Sequence, residues 1–279
     1  MFASIELASR IDRAEARLSE SVARGLVADD PYADVFVEEI GGGFAVYTGP
    51  ASPMNKMIGV GFQGVPEEER LLEIEEMYRM REAPLQAEVS TLADPTFAAT
   101  LTHRGYILQN FENVLGRPMT SADANISPDP TIDVHKMDGA GDAQAWLDAA
   151  ITGFQHADPQ GVQAEALPPR DLLERALRPY MIVPGFRRYC AYIGGRLAGV
   201  ASLRVDDGLA QLCGAATLPA FRRRGVQTML LRRRLADAFL DGCELALMMT
   251  QPGSRSQQNG YRQGFLLLYS RAHLVKHPG

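Results

Sequence analysis

Two stretches of this chain are written to one plan. "AEVSTLADPTFAATLTHRGYIL" (87–108) and "LALMMTQPGSRSQQNGYRQGFLL" (245–267) each run apolar strand, proline-started helix, glycine, aromatic residue, strand. The two helical segments differ by two residues, Pro95 to Gly105 against Pro252 to Gly264. Self-similarity at this distance predicts a duplicated fold in which one copy has diverged. Alternating strands and helices read as an α/β (α+β) chain.

The residues between the repeats fill in that plan. Leu7, Ile11, Ala14, Leu18 and Val22 recur at helical spacing, and Gly25 offers a stop. "FAVYTG" and "KMIGVGFQG" read as strands joined by "PASPMN". "VPEEERLLEIEEMYRMRE" predicts a helix with Pro66 in its first position and Glu67 to Glu69 at its positive end. "PLQAEVSTL" is a strand. Asp94 caps the helix that follows, Gly105 ends it, and "YILQNFENVL" returns as a strand. The polar, proline-bearing stretch 120–130 predicts a domain boundary, giving domains 1–126 and 127–279. Beyond it lie a strand ("TIDVHKM"), two helices ("DAQAWLDAAITGF", "PPRDLLERALRPYM") and three strands turning at "GG" and "DDG". A helix after Gly225, the strand "CELALMMT" and the second repeat complete the chain.

Composition narrows the function classes. The 279 residues carry a formal charge of −6, which argues against general nucleic-acid coating but permits one basic patch. No apolar run approaches the roughly 18 residues of a membrane span, and "MFASIELASRIDRAEARL" has no uninterrupted apolar signal core. Cys190, Cys213 and Cys243 show no metal or disulfide spacing, so they read as free thiols of a cytoplasmic protein. No histidine stands in a ligand motif, and no metal is expected.

One basic patch does stand out. "TLPAFRRRGVQTMLLRRRL" (217–235) holds two arginine triplets, the first running into a glycine between a strand and a helix. A helix N-terminus offers unpaired backbone N–H groups and partial positive charge, and glycine lets an anion approach the backbone. The arrangement suits a pyrophosphate held by the amides of residues 223–228. No "GK[ST]" follows, so it is no nucleotide P-loop. Arg232, Arg233 and Arg234 read mainly as a solvated face, with one of them able to reach a further phosphate.

From Thr131 to the C-terminus the chain resembles the GNAT superfamily of N-acetyltransferases, which use acetyl-coenzyme A. The family fingerprint is Gln/Arg-x-x-Gly-x-Gly/Ala, and Arg222, Gly225 and Gln227 fall on its three defined positions. Gln227 departs from the small residue usual there. Gly264-Phe265, preceded by a polar helix, matches the family's second cofactor segment. The resemblance implies that Arg222, Arg223, Arg224, Gly225, Val226, Gln227 and Thr228 hold the pyrophosphate. It implies that Ala215, Ala216 and Thr217, on a strand that splays from its neighbour, hold the pantetheine arm and thioester carbonyl. Ser256 and Asn259 are then candidates for the thiol end of coenzyme A.

The acceptor amine must be neutral to attack. With a pKa of ~10.4, deprotonation at pH 7 costs about 4.6 kcal/mol, which a base, a water chain or desolvation must cover. Many relatives place a glutamate on the strand before the loop, where this chain has Gln211 and Cys213. Many place a tyrosine four residues before the "GF" glycine, where this chain has Gly260. Its neighbour Tyr261 is the candidate acid, although one residue is about 100° around a helix. In the first half, "VGFQGVPEEER" occupies the place of the phosphate loop, and its acids would repel phosphate. That half resembles a degenerate GNAT-like copy. Asn55, Asn110, Glu112 and Asn113 read as turn and edge residues. The expected function is N-acetyl transfer from acetyl-CoA to a small-molecule or amino-acid amine in a ternary complex. The alternative is a non-catalytic acyl-CoA-binding or sensor protein. Neither nucleic acid nor membrane is an expected partner.

Overall fold

The computed structural model describes residues 2–125, 129–137, 143–156 and 169–279. The first half holds α1 (Ile5–Asp29), β1 (Phe36–Ile40), β2 (Gly43–Tyr47), β3 (Lys56–Ile58), α2 (Glu68–Arg79), β4 (Leu85–Ser90), α3 (Pro95–His103) and β5 (Ile107–Pro118). The second holds β6 (Asp133–Lys136), α4 (Ala143–Gln155), α5 (Arg170–Leu177), β7 (Phe186–Ile193), β8 (Arg196–Asp206) and β9 (Leu209–Thr217). It closes with α6 (Val226–Leu240), β10 (Leu245–Thr250), α7 (Arg255–Arg262) and β11 (Leu266–Lys276). Among the described residues no helix is long and apolar enough to cross a membrane.

Two compact units interleave along the sequence. One comprises residues 1–114, 250–252 and 267–279, the other 115–249 and 253–266. The segment 267–279, placed by sequence with the second half, counts with the first unit. Of the expected boundary stretch, residues 126–128 lie outside the described residues.

In the first unit the strand order is β1-β2-β3-β4-β11-β5. β11 pairs antiparallel with β4, Arg271 opposite Ser90 and His273 opposite Glu88. β3 and β4 run parallel. Leu71, Ile74 and Tyr78 of α2 and Phe97 and Leu101 of α3 pack on Ala45, Tyr47, Met57, Ala87 and Val89 of the strands. The apolar stripe of α1, Ile11, Ala14, Leu18 and Val22, is buried as its spacing requires. The helix runs four residues past Gly25 to Asp29, so Gly25 does not stop it. A helical glycine costs about 1 kcal/mol, which packing readily outweighs. Pro66 is likewise not the first residue of α2, since Glu67 is the N-cap and Glu68 opens the helix. β1, absent from the sequence reading, pairs with β2 across Gly41 and Gly42, whose φ values of 54° and 81° suit a tight hairpin turn.

In the second unit the order is β10-β9-β8-β7-β6. α4 covers one face, where Trp146, Leu147, Ala150 and Ile151 meet Cys190, Val200 and Ala216. α6 covers the other, where Val226, Leu230, Leu231 and Leu235 meet Leu203, Ala210 and Leu212. The "GG" and "DDG" turns form as expected, with Gly194, Gly195, Asp207 and Gly208 all at positive φ.

Candidate functional site

β9 and β10 are parallel but paired only over Leu245↔Leu209, Ala246↔Ala210 and Leu247↔Gln211. β9 then continues to Thr217 without a described partner on its β10 side, so past Gln211 the β9–β10 ladder is open. On its other side β9 pairs with β8 through a bulge. Val200 faces Ala216 and Ser202 faces Cys213, leaving Gly214 and Ala215 opposite the single residue Ala201. Gly214 takes φ 45°. Ala215, Ala216 and Thr217 thus lie between the bulge and the end of the strand. Among the described residues the buried Thr217 hydroxyl meets no hydrogen-bond partner.

From Thr217 the chain turns through Pro219–Phe221, pinned by Leu218 N–H donating to Ala198 O at 2.9 Å. Arg223 sits at φ 60° and Gly225 at φ 84° as the N-cap of α6. The first hydrogen bond of the helix runs from Met229 N–H to Gly225 O, 3.0 Å. Among the described residues, the N–H groups of Arg223, Arg224, Gly225, Val226, Gln227 and Thr228 meet no acceptor. Six free donors at the positive end of a 15-residue helix are able to receive an anion. Gly199 on β8 lets this helix start close to the sheet, because a Cβ there would lie 2.7 Å from Val226 Cγ1 and 2.8 Å from Ala216 O. Gly153 of α4 does the same on the opposite face, where a Cβ would meet Ala216 Cβ at 2.4 Å.

The arginines divide their work. Arg222 donates to His156 O just beyond α4. Arg224 and Arg196 stack on Phe221, 5.7 and 5.4 Å from the ring centroid. Arg223 and Arg224 are exposed, Gln227 and Thr228 half-buried. A Cβ on Gly225 would lie 4.0 Å from Asp129 Oδ2, and Asp129 Oδ1 is held by the Thr131 N–H and hydroxyl. The second triplet is not one solvated face. Arg232 is exposed and Arg233 pairs with Asp237 at 3.0 Å, but Arg234 is 2% exposed. It donates to the carbonyls of Leu230 (3.2 Å), Ser202 (2.9 Å) and Cys213 (3.3 Å). Its heptad neighbours Val226, Leu230 and Leu231 bury that side of α6, and the long side chain follows them inward.

α7 begins at Arg255, capped by Ser254, rather than at Pro252. Ser256 is exposed, and Asn259 is half-buried with Arg262 3.5 Å from its oxygen. Gly260 is buried, and a Cβ there would meet Met248 Sδ at 2.8 Å and Leu115 Cδ1 at 3.1 Å. Tyr261 is 46% exposed, and its hydroxyl oxygen accepts from Gln257 Nε2 at 2.7 Å. Gln211 is 1% exposed, with its oxygen accepting from Arg204 at 2.7 Å. Cys213 is half-buried and is one of three free thiols.

The first unit holds a second polar centre that the sequence reading missed. Arg271 of β11 is fully buried and donates to Asp12 at 2.6 Å, to Glu15, and to Glu112 at 3.3 Å. The Tyr269 hydroxyl donates to Asp12, and Lys56 donates to Glu88 at 2.6 Å. Four carboxylates thus face two permanent cations. Burial, reinforced by the Glu88 charge and only partly offset by Arg271, pushes the Glu112 carboxyl up to about 8. Burial also opposes ionisation of Glu88, but Lys56 and Arg271 outweigh it and hold that group at about 2. Glu88, Glu112 and His273 bring ligand atoms within 4.8 Å of one another. Lys56 and Arg271 already lie against these carboxylates, Lys56 2.6 Å from Glu88 and Arg271 3.3 Å from Glu112. Asn55 and Asn113 are buried, not solvated: Asn55 accepts from Thr48 N–H and donates to Gly49 O, and Asn113 Oδ1 accepts from Ser270 Oγ. At the place of a phosphate loop, α2 opens with Glu68 and Glu69 behind the N-cap Glu67.

Residues 150–265 match the family model described as the acetyltransferase (GNAT) family. No curated protein matches the sequence. Among solved structures, a GCN5-related N-acetyltransferase from Kribbella flavida is similar over 95% of each chain, with a TM-score of 0.63 at 18% identity. A tandem GNAT protein from the clavulanic acid biosynthesis pathway is similar over 93% of this chain and 88% of its own, with a TM-score of 0.61 at 13% identity. A GCN5-related N-acetyltransferase from Sphaerobacter thermophilus covers 75% of this chain and 66% of its own, with a TM-score of 0.55 at 16% identity. Residues 150–265 thus match the acetyltransferase (GNAT) family model, and the chain has the fold of the GNAT proteins, a tandem one among them.

Proposed function

We propose that the second half of the chain, residues 127–279, binds acetyl-CoA and transfers its acetyl group to a primary amine of a small molecule or amino acid. The observation that carries this reading is the opening of the β9–β10 ladder directly before six unpaired N–H donors. In it, residues 223–228 take the pyrophosphate, and Arg223 and Arg224 add charge at the rim. Ala215, Ala216 and Thr217 lie where the thioester would run. Backbone N–H groups turned to its oxygen stabilise the charge that develops as the amine attacks, an effect worth about 10²–10³ in rate per donor. The amine nitrogen bonds to the carbonyl carbon, the C–S bond breaks, and the amine proton leaves to solvent or a base. Tyr261 is the candidate donor to the departing thiolate. Its oxygen already accepts from Gln257, which leaves its own proton free. Ser256 and Asn259 lie on the same helix for contacts near the sulfur.

A second reading, a non-catalytic acyl-CoA-binding or sensor protein, is favoured by two observations: Gln211 is sealed in the core, and a Cβ at Gly260 would already meet Met248 and Leu115 at 2.8 and 3.1 Å. Both readings share the cofactor site, which is tested first. Gly225→Val puts a branched side chain at φ 84° and blocks the approach of an anion. Calorimetry should show at least a tenfold loss of acetyl-CoA affinity in a variant whose thermal melt confirms folding. Unchanged affinity in the folded variant would refute the loop assignment.

A further inference from the structure

We propose that Arg234 is a positioning residue for the transfer reaction: its buried guanidinium holds the Ser202 and Cys213 carbonyls and thereby fixes the bulged end of β9 that carries the thioester-binding residues 215–217. The inference rests on the reading above and adds to it a residue outside the cofactor loop.

Arg234 is an expensive choice for its place. It is 2% exposed, and among the described residues no carboxylate lies within ion-pair distance of it. Its neighbour Arg233 takes Asp237 instead. Burial pulls the Arg234 guanidinium down to about 10. A methionine or leucine would fill the volume without the cost of desolvating a cation. What those side chains cannot supply is a forked set of donors.

The donors go where the ladder is broken. Ser202↔Cys213 is the pair next to the bulge, and both of its carbonyls accept from Arg234 Nη1, at 2.9 and 3.3 Å. The Ser202 hydroxyl gives Cys213 O a second donor at 3.0 Å. The two residues that follow, Gly214 and Ala215, form the bulge itself and lead into Ala216 and Thr217. With no described β10 partner beyond Gln211, this end of β9 is held by β8, by α4 packed on Ala216, and, at Cys213, by Arg234. Arg234 also sits on α6, about 12 Å along the helix from the phosphate cradle at Val226. One rigid helix therefore joins the pyrophosphate donors to the strand that faces the reacting carbonyl.

The test needs no knowledge of the acceptor. Isotope-edited infrared spectroscopy of acetyl-CoA labelled with ¹³C at the thioester carbonyl reads hydrogen bonding to that oxygen directly. In the wild-type protein the bound carbonyl band should move to lower frequency than in free acetyl-CoA. In Arg234→Met the displacement should fall by at least half while coenzyme A affinity stays within about twofold. Arg234→Lys, which keeps the charge but loses the fork, should fall between them. A folded Arg234→Met protein with the wild-type displacement overturns the proposal. If that variant does not fold, Arg234→Lys decides: a reduced displacement supports the role, and a wild-type displacement overturns it. A loss of coenzyme A affinity as large as the spectral change would assign Arg234 to general stability instead. Wild-type protein that binds acetyl-CoA without moving the band, or does not bind it, removes the acyl-CoA reading itself.

Discussion

The close seating of α6 on its sheet rests on one hydrogen atom, the missing side chain of Gly199. Its φ lies in the ordinary range, so Gly199→Ala changes volume without imposing backbone strain. The added methyl would stand 2.7 Å from Val226 Cγ1, 2.8 Å from Ala216 O and 3.4 Å from Leu230 Cδ1. Carbon atoms settle near 3.5–4.0 Å, so relief requires a shift of about 1 Å. Ala216 O belongs to the backbone of β9, and Val226 is the first residue of α6, so both candidates for movement are parts of the site. Overpacking of this size costs about 1–3 kcal/mol. At about 2–4 °C per kcal/mol the melting temperature should fall by roughly 2–12 °C. A 1 Å retreat of the helix start should weaken several charge-assisted hydrogen bonds to the pyrophosphate at once. The expected loss in coenzyme A affinity is at least tenfold, about 1.4 kcal/mol. Calorimetric titration at a temperature where the variant is fully folded measures it. A destabilised but folded Gly199→Ala protein with wild-type affinity would show that the position of α6 does not set the anion site.

Other expectations follow from the charged centre of the first unit and from its acidic helix start. Glu112 faces Glu15 and Glu88, the cations Lys56 and Arg271, and His273; its folded pKa of about 8 lies above the ordinary 4.5. The folded protein therefore keeps a proton that the unfolded chain releases, and the stability tied to it is lost as pH rises from about 4.5 to 8. Urea midpoints should fall between pH 5.5 and 8, and Glu112→Gln should shrink that fall; an equal fall in both proteins would contradict the shift. Because Glu68 and Glu69 occupy the first turn of α2, the first unit should hold no acetyl-CoA. Titration should give one site per chain, and two equivalent sites would show that the first unit keeps a working phosphate loop.

What the sequence discloses here is what is local. The strand, turn, glycine and helix of the proposed anion site at 217–228 are consecutive, so their chemistry is written in one stretch. The same holds for Asp94, which caps α3 through its contact with Thr96 N–H at 2.9 Å. β1 was equally legible, since "FVEEIGGGFAVY" carries a two-glycine hairpin, but its paired glutamates hid the alternation. Arg234 was not legible. Its burial depends on carbonyls 21 and 32 residues away, and a triplet of arginines reads by composition as solvated. The charged centre is still more remote, joining Asp12 to Arg271 across 259 residues. Such a network exists only once β11 lies against β4 in the register that sets His273 opposite Glu88. Gly260 shows the same limit from the other side. A motif comparison sees a missing tyrosine, whereas the structure shows Met248 and Leu115 within 2.8 and 3.1 Å of where a Cβ would stand.

The central claim is acetyl transfer from acetyl-CoA to an amine. It is tested most directly by release of free coenzyme A thiol when the purified protein and acetyl-CoA meet a panel of small amines and amino acids. Thiol release should depend on at least one amine, exceed the amine-free rate and disappear in Gly225→Val. Tight binding of acetyl-CoA with no amine-dependent release across the panel would contradict it and leave the acyl-CoA-binding protein as the correct reading.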